Sequence, residues 1–586
     1  MEVAGGSVLW AILMVLGFLN PQTLAPSDPA VTAGDGQIAA EQVASLIPGD
    51  PQIFLSINTN DKTLQACKEL WIQKFFQINE INRTIQQFTA GTDRKNREAK
   101  TFFDIANLIL DLETEQLAAA LYADPKNTSV RLLVAGRWSQ METISFAIRG
   151  LGIALQGNGK ALLATDGTWT RITTRRPING KLDIALAVSP KAVLFEMALR
   201  CPPALIQQVI SGDYQACTRE NALVKNCAAS RGDSRDLIFL AIDTPAILKA
   251  LPQLNAKPVN QFMQIFKPAG FGRIVYTVKP SGKSFKEHFS VLESAGTGLL
   301  NDLISQSQPV DPAVFKLVPA SAVFVQAGAY KLDMALDLLS EQLKNDPMTR
   351  EAGTKIETFF AEAAAQGMDI RGRIINQLEG SGLLFITLPD ANAGAPIPGF
   401  GFIAGIKDSS GIFEILEMVQ NDNFRLSARE ISGINTYTAQ LQKAPFIPTF
   451  GTIDAGKKYF VIASSPDMFA AVVRAGSLPG AVKFAGANVI DLKEAMHFQF
   501  LDVSRLGMFA YPALRPWIPM AANKIPPLQG LNSAALPGAQ ELFGSAPAYV
   551  TVTTRSRGTE TLSPIPLTRI GQMIPAIFPL MGHRFM

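Results

Sequence analysis

The feature that most constrains the fold of this sequence is a set of short motifs that occurs twice in the same order. Residues 46–58 and residues 317–328 each contain a proline-marked turn followed by residues typical of a β-strand. The two prolines of these turns, Pro48 and Pro319, are 271 residues apart, and a helical pattern follows each strand. This order predicts that the chain contains two diverged copies of one module.

A Ser-Pro pair after an apolar run occurs later in both copies. The pairs are Ser189-Pro190 and Ser465-Pro466, and their prolines are 276 residues apart. A serine oxygen can accept a hydrogen bond from the free N–H groups that begin a helix. Proline suits the first helical position because the N–H there has no partner within the helix. Each pair therefore predicts the start of a helix.

Apolar runs of strand length alternate with helical patterns in both copies, and this alternation predicts an α+β fold. Short links between several strands favour an antiparallel-rich sheet with helices packed on it, while the helical connections also permit parallel neighbours. Helices are expected at residues 63–88 and 331–343, and strands at residues 132–136, 237–242, 273–278, 401–405, 498–501 and 549–553.

The repeat also sets the expected domain boundaries. These are a signal peptide at residues 1–33, a linker at 34–45, a first module at 46–304, a linker at 305–316, a second module at 317–555 and a tail at 556–586. Pro190 and Asp243 are 53 residues apart, whereas Pro466 and Asp502 are 36 apart. The first module is therefore expected to carry an insertion of 17 residues, containing cysteines, at about 200–230.

The amino terminus predicts export from the cytoplasm. The apolar run at residues 8–19 has about half of the roughly 20 residues that a membrane-spanning helix needs, which fits the core of a signal peptide. Small residues follow at 23–25 and 31–33. Cleavage after Ala33 is preferred, because Pro26 would occupy the first mature position at the other site. No Lys or Arg precedes the apolar run, so an uncleaved N-terminal anchor is the alternative.

The four cysteines are compatible with the oxidising compartment that an export signal implies. Cys67 belongs to an apolar helical stripe and is expected to be a buried, inert thiol. The other three cysteines lie in the expected insertion. We predict a disulfide between Cys217 and Cys227, with Cys201 as the competing partner.

Charge and composition exclude some classes of function. Lys and Arg total 53 against 50 for Asp and Glu, so the chain has no net field that would attract nucleic acid. A hydrophobic fraction of 47% indicates a globular protein. Past residue 33 no charge-free apolar stretch of about 18 residues occurs, and no membrane span is expected in the mature chain.

The sequence contains no motif that assigns a catalytic, cofactor-binding or metal-binding residue. The three histidines, His288, His497 and His583, are scattered and lie in no metal-binding pattern. Gly399 and Gly401 match the spacing of a dinucleotide fingerprint, but they precede an apolar run instead of following one. We therefore expect no catalytic residue, cofactor or metal, and interpret the glycines as part of a loop that leads into a strand.

Two of the motifs carry a resemblance to known proteins. The Leu-Ile-Pro-Gly-Asp-Pro start at residues 46–51 and the Phe-Val-Ile-Ala-Ser-Ser-Pro run at residues 460–466 resemble bacterial exported proteins of a domain-of-unknown-function family. The resemblance covers most of residues 45–555. It implies an α+β fold and a periplasmic or secreted location, and it supplies no catalytic residues.

These observations favour a noncatalytic envelope protein that binds a protein partner or an apolar ligand, because duplicated modules can place a cleft between similar surfaces. The 35 phenylalanines suit an apolar ligand and equally suit an ordinary core. The alternative is a hydrolase that acts on an envelope substrate. Such an enzyme would need a cleft in which polar groups with perturbed ionisation converge.

Overall fold

The structure is a computed structural model, and part of the chain is described in it. The described residues are 43, 45–49, 51–58, 114–124, 129–178, 180–214, 237–243, 245–246, 273–292, 308–329, 332–345, 350–389, 398–418, 420, 424–441, 446–476, 494–518, 520, 536–554 and 558–564. The expected signal peptide and the expected helix at 63–88 lie outside these residues.

Within the described residues, twenty β-strands form one sheet, and the pairings between them are antiparallel. The strands are β1 (Ile53–Asn58), β2 (Thr114–Asp124), β3 (Ser129–Trp138), β4 (Ala161–Asp166), β5 (Trp169–Thr174), β6 (Leu182–Val188), β7 (Val193–Leu199), β8 (Ile238–Asp243), β9 (Arg273–Ser281), β10 (Ser284–Leu292), β11 (Ala322–Ala329), β12 (Leu378–Thr387), β13 (Gly399–Ile406), β14 (Phe424–Ile431), β15 (Ile434–Leu441), β16 (Thr449–Asp454), β17 (Lys458–Ala463), β18 (Ala495–Leu501), β19 (Tyr549–Thr554) and β20 (Gly558–Ser563).

The neighbour order is the same among the first ten strands and among the last ten. In residues 53–292 the order is β10-β9-β8-β1-β2-β3-β7-β6-β5-β4. In residues 322–563 it is β20-β19-β18-β11-β12-β13-β17-β16-β15-β14. We call these parts the first and second halves. They are joined by antiparallel pairing of β10 with β20, in which Phe285 lies opposite Ser563.

Helices pack on both faces of the sheet, in agreement with the expected α+β fold. The described helices are α1 (Met141–Gly157), α2 (Leu205–Ser211), α3 (Leu332–Asn345), α4 (Arg350–Ala365), α5 (Ile370–Arg373), α6 (Ser410–Met418), α7 (Pro466–Gly476), α8 (Val503–Leu514) and α9 (Ala539–Phe543), with 3-10 helices at Pro312–Leu317 and Ile375–Gln377. The expectation of a helix at 331–343 is confirmed by α3.

Side chains alternate between two faces of the sheet, which we call face A and face B. Face A carries Leu133 in the first half and Ile403 in the second, both fully buried. Helix α2 covers face A of the first half, and α7 covers it in the second half together with the 3-10 helix at Pro312–Leu317. These two clusters form the main hydrophobic core.

Face B is covered towards the far end of each half. In the first half, Ile144 and Ile148 of α1 pack there on strands β4 to β7. In the second half, Ile412 and Ile415 of α6 pack on strands β13 to β17. Helices α1 and α6 each follow the third strand of their half, so both the helix and its place on the sheet are matched.

The prediction that Pro190 starts a helix is wrong. Ser189 and Pro190 form the turn between β6 and β7, where Ser189 Oγ accepts hydrogen bonds from the N–H groups of Lys191 (3.2 Å) and Ala192 (3.1 Å). A serine oxygen can stabilise a tight turn as well as a helix start, and the apolar residues after Pro190 continue as a strand.

The same prediction is confirmed at Pro466, which begins α7. Ser465 Oγ accepts a hydrogen bond of 3.1 Å from the N–H of Met468. The strands before α2 and α7 are β7 and β17, so the Ser-Pro pairs do not occupy equivalent positions. Measured between matching strands, residues 200–237 number 38 and residues 464–494 number 31, an excess of 7 in the first half instead of 17.

Two segments that were assigned outside the modules take part in the sheet or its core. Val310 and Val314, in the expected linker at 305–316, are buried in the core of the second half. Strand β20 lies beyond residue 555, where the expected tail begins, and it provides the pairing with β10. Apolar residues in the linker and alternating residues in the tail account for both positions.

Candidate functional site

An open apolar area lies on face B of the second half, over strands β18, β11, β12 and β13. We call it the floor. Six apolar side chains form it: Phe324, Leu384, Ile386, Phe400, Phe402 and Leu501. Each lies opposite another member on the neighbouring strand, and this register brings residues that are distant in sequence into one surface.

The middle of the floor is exposed to solvent. Leu384 and Phe402 lie directly opposite each other on β12 and β13, and they are 37% and 39% exposed. The ring of Phe402 lies over Gly382, 3.6 Å from the place where a Cβ atom would be. Exposed large apolar side chains in the middle of a sheet are unusual, because such positions are ordinarily covered by another layer.

Polar side chains border the floor on its side towards β18. Gln326 on β11 is exposed, and its Nε2 atom lies 3.5 Å from Nε2 of His497 on β18. Gln499 lies opposite Gln326. These three side chains provide amide and imidazole groups at the rim of an otherwise apolar surface.

The polar rim continues into a buried polar row at the junction of the halves. Thr551 and Thr561 lie opposite each other, with their hydroxyl oxygens 2.9 Å apart, and Glu287 lies opposite Thr561. The hydroxyl of Tyr276 donates a hydrogen bond of 2.6 Å to Glu287. Residues on one face of the sheet therefore change from apolar in the floor to polar and buried at the junction.

Helix α8 is fixed beside one end of the floor. The N–H of Asp502 donates a hydrogen bond of 2.7 Å to Val323, and the guanidinium of Arg505 donates one of 3.0 Å to the carbonyl of Ser321. At the same end, the rings of Phe400 and Phe446 are 5.6 Å apart in an edge-to-face arrangement. The floor is thus bounded by a helix start and an aromatic side chain.

The matching surface of the first half is closed. Ile57 on β1 and Leu117 on β2 are 8% and 4% exposed, and Leu55 and Val134 pack against them. Face B is therefore buried at the centre of the first half and open at the centre of the second. The two halves share a strand order and differ in the surface they present.

A second concave surface lies in the first half, between α1 and the hairpin of β4 and β5. This groove has a volume of about 360 Å³. Its lining includes Arg149 and Ile153 from α1, Leu163 and Thr165 from β4, and Thr170 from β5. It combines one cation, hydroxyl groups and apolar side chains.

Buried carboxylates in the described residues hold elements of the core together. Glu196 on β7 is fully buried, and it accepts hydrogen bonds from three N–H groups at the start of α2. Burial raises the pKa of Glu196, although the three N–H groups and the charge of Arg131 act in the opposite direction. Its place in the core indicates a structural role.

Asp311 forms a second polar cluster, at the start of the 3-10 helix. Its carboxylate accepts hydrogen bonds from the N–H of Ala313 (3.0 Å) and the hydroxyl of Tyr459 (3.1 Å), and lies 3.0 Å from Nζ of Lys457. Burial alone would raise the pKa of Asp311, but the three partners outweigh burial and lower it. Burial and the charge of Asp311 raise the pKa of Tyr459.

The expected cleft between the halves is not formed at the described junction, where hydrogen-bonded strands make the sheet continuous. His288 on β10 lies opposite Glu560 on β20, and Nζ of Lys286 is 3.3 Å from the Glu560 carboxylate. Burial lowers the pKa of His288. The junction is therefore a strand interface with a polar cluster on face A.

The committed site residues fall mainly outside the described part of the chain. Cys217, Cys227 and the expected cleavage position Ala33 are all outside it, and the predicted disulfide stays a prediction. Cys201 is described as a half-buried free thiol just after β7. Gly401 lies within strand β13, which it enters together with Gly399.

Two further properties concern only the described residues. They contain no group of three or more His, Cys, Asp or Glu side chains that could hold a metal ion. None of their helices has the length and apolar character needed to cross a membrane.

Sequence reasoning did not identify the floor. Its signal is the run Leu383–Ile386, where consecutive apolar residues indicate a strand with two apolar faces. Such a run shows that both faces are apolar, but not which one is left open.

Comparison with known proteins gives limited similarity. The chain matches no protein-family model and no curated protein. Among solved structures it is similar to crystal form IV of TP0453, with 13% identity and a TM-score of 0.23, over 44% of this chain and 83% of that chain. Crystal form I of TP0453 gives 9% identity and a TM-score of 0.22, over 44% and 82%. Similarity at this level is no guide to fold or function.

Proposed function

We propose that this chain is a noncatalytic, exported protein of the bacterial cell envelope, and that its floor binds an apolar ligand or the apolar segment of a protein partner. The observation that carries the proposal is the exposure of Leu384 and Phe402 at directly opposed positions in the sheet. Covering about 200 Å² of such surface would contribute roughly 5 kcal/mol before the costs of association.

The chemistry of the rim supports binding in preference to catalysis. Gln326, Gln499 and His497 offer hydrogen bonds at one side of the floor, where they can orient a ligand. The floor itself is built from apolar side chains and includes neither a carboxylate nor a nucleophile. A hydrolase remains the alternative, without an observation that favours it.

We infer that the two halves are diverged copies of one duplicated module. The shared order of ten strands supports this inference, as do the matched positions of α1 and α6. After a duplication, one copy can keep its face closed for stability while the other leaves the matching face open for binding. The closed surface at Ile57 and Leu117 fits this division.

The proposal is tested with N-phenyl-1-naphthylamine, a neutral apolar dye whose fluorescence rises when it is bound away from water. Phe402→Gln and Leu384→Gln are each expected to weaken dye binding by about tenfold, because each removes apolar contact area at the centre of the floor. Matched controls are Phe359→Gln on α4 and Leu162→Gln on β4, which change side chains that are 56% and 54% exposed elsewhere.

The controls should bind the dye as the wild-type protein does, and all four variants should keep its melting temperature. Equal affinities for the floor variants and the wild type would show that the floor is not the binding site. A loss of the same size in the controls would show that the dye binds exposed apolar side chains without selection.

A further inference from the structure

The groove between α1 and the β4–β5 hairpin combines features that the floor lacks. Arg149 and Ile153 are one helical turn apart on α1, and both are exposed. Leu163 and Thr165 face them from β4, and Pro190 from the turn between β6 and β7 completes an apolar wall. The groove therefore has a cation beside an apolar surface.

Hydroxyl groups lie close to this cation. Thr165 and Thr170 are directly opposed on β4 and β5, and Thr168 lies in the turn that connects the two strands. Thr170 is 6% exposed, so its position is fixed by packing. A guanidinium and neighbouring hydroxyls are donors for an oxyanion, and the planar guanidinium fits both oxygens of a carboxylate.

Apolar side chains on α1 extend the surface beyond the groove. Ile153 is 63% exposed, and Phe146, three residues before Arg149, is 82% exposed. Both lie on the outward side of a helix whose inward side is packed on the sheet by Ile144 and Ile148. An anion held at Arg149 would thus have apolar side chains on either side of it along the helix.

The matching helix of the second half does not offer this combination. Helix α6 presents Glu414 and Glu417 on its outward side, where Arg373 pairs with Glu414 and the hydroxyl of Tyr437 donates a hydrogen bond of 3.2 Å to Glu417. Two carboxylates would repel an anion. The cationic groove is a property of the first half.

From this geometry we propose that the groove is a second ligand site, distinct from the floor, for a single-chain amphiphile with a carboxylate head, such as a fatty acid. The carboxylate is bound by Arg149 and the threonine hydroxyls, and the chain lies along Ile153 and Leu163. One guanidinium balances the single charge of a carboxylate, whereas a phosphate monoester would bring a second negative charge without a partner.

The test is calorimetric titration of the full chain carrying Phe402→Gln, which removes the central contact of the floor. Octanoate is the probe, and acetate and 1-octanol supply its head and its chain separately. Octanoate is expected to bind at least about tenfold more tightly than either. Octyl phosphate is the competing head group and is expected to bind more weakly.

Arg149→Gln is expected to weaken octanoate binding by about tenfold or more, because it removes a charge-assisted hydrogen bond. Thr168→Ala should weaken it by a smaller factor. Arg176→Gln, which changes another exposed arginine of the same half, is the control and should leave the affinity unchanged. Far-ultraviolet circular dichroism and melting temperature establish that the variants are folded.

Several outcomes would overturn the proposal. Equal binding of acetate and octanoate would show a simple anion site, and equal binding of 1-octanol would show an apolar surface that ignores charge. Tighter binding of octyl phosphate would overturn the choice of a carboxylate. An unchanged affinity in Arg149→Gln would remove the groove as the site. Each result is independent of dye binding to the floor, so failure of one proposal is separable from failure of the other.

Discussion

The carboxylate of Glu196 lies 2.9 Å from the backbone nitrogen of Ile206 and accepts its hydrogen bond. The other carboxylate oxygen accepts the N–H groups of Ala204 (3.0 Å) and Leu205 (3.2 Å). A side chain from the middle of β7 thereby satisfies the free donors at the start of α2, which no adjacent residue caps. In the second half, Ser465 does this for α7 from the position just before the helix.

Glu196→Ala should destabilise the protein strongly, because it leaves buried N–H groups at the start of α2 without acceptors. We expect a loss of about 3 kcal/mol in the free energy of unfolding. The measurement is the urea midpoint followed by circular dichroism. Glu379→Ala, which changes an exposed glutamate on β12, is the control and should have little effect. A loss of less than about 0.5 kcal/mol in Glu196→Ala would contradict the capping role.

Asp311→Asn should lower stability at neutral pH and have a smaller effect in acid. The pKa of Asp311 in the folded protein lies below its ordinary value of 3.8, so the unfolded chain takes up a proton first as the pH falls. The stabilisation is therefore present above about pH 4 and is lost as the pH falls further. At pH 7 we expect a cost of about 1 kcal/mol, which should narrow towards pH 3.

The partner of Asp311 provides a check on this prediction. Lys457→Gln alone should be mildly destabilising, and it should add little in the Asp311→Asn background, because the ion pair is already lost. Additive effects of the two substitutions, or a cost of Asp311→Asn that is independent of pH, would contradict the prediction.

Gly401→Ala should destabilise the core of the second half. A Cβ atom at Gly401 would lie 2.4 Å from the ring of Phe385, which is fully buried on the opposing strand and has no room to move. We expect a cost of about 1–3 kcal/mol, measured by thermal or urea unfolding. This close approach explains a glycine that, by spacing alone, resembled part of a nucleotide-binding motif.

The matched control for Gly401 is Gly150→Ala on α1. A Cβ atom at Gly150 meets nothing within 4 Å, and alanine favours a helix more than glycine does. This variant should be more stable by about 0.5–1 kcal/mol. If both alanine variants changed stability in the same direction, contact with Phe385 would not be the cause.

The cysteines of the first half give a prediction about covalent structure. We expect Cys217 and Cys227 to be linked by a disulfide that contributes roughly 2–3 kcal/mol on the chain-entropy account, and Cys67 to stay reduced. Peptide mapping without reductant identifies the linked pair. Linkage of Cys201 to either residue, or alkylation of both Cys217 and Cys227 in the folded protein, would contradict it.

Export predicts a processed amino terminus. Cleavage after Ala33 should give a mature chain that begins at Gly34 and is recovered outside the cytoplasm. The measurement is N-terminal sequencing of the protein from fractionated cells. Intact Met1 in the membrane fraction would instead support the uncleaved anchor.

Elements with a strong local pattern could be predicted from the sequence. Strand β3 includes the expected residues 132–136, and α3 at Leu332–Asn345 agrees closely with the expected 331–343. Periodicity is a local property, so it can be read without knowledge of the partner strands. The Ser-Pro pairs were less informative, because the same two residues suit a turn and a helix start.

Local sequence determined that this chain builds an antiparallel-rich α+β fold and that strands such as β12 are apolar on both faces. Only the tertiary structure decided that Pro190 forms a turn, since that depends on the pairing of β7 with β3 and β6. Only the tertiary structure left the floor open and formed the groove at Arg149. Both surfaces are set by which helix packs on which face of the sheet, and packing joins residues whose distance in sequence no local pattern records.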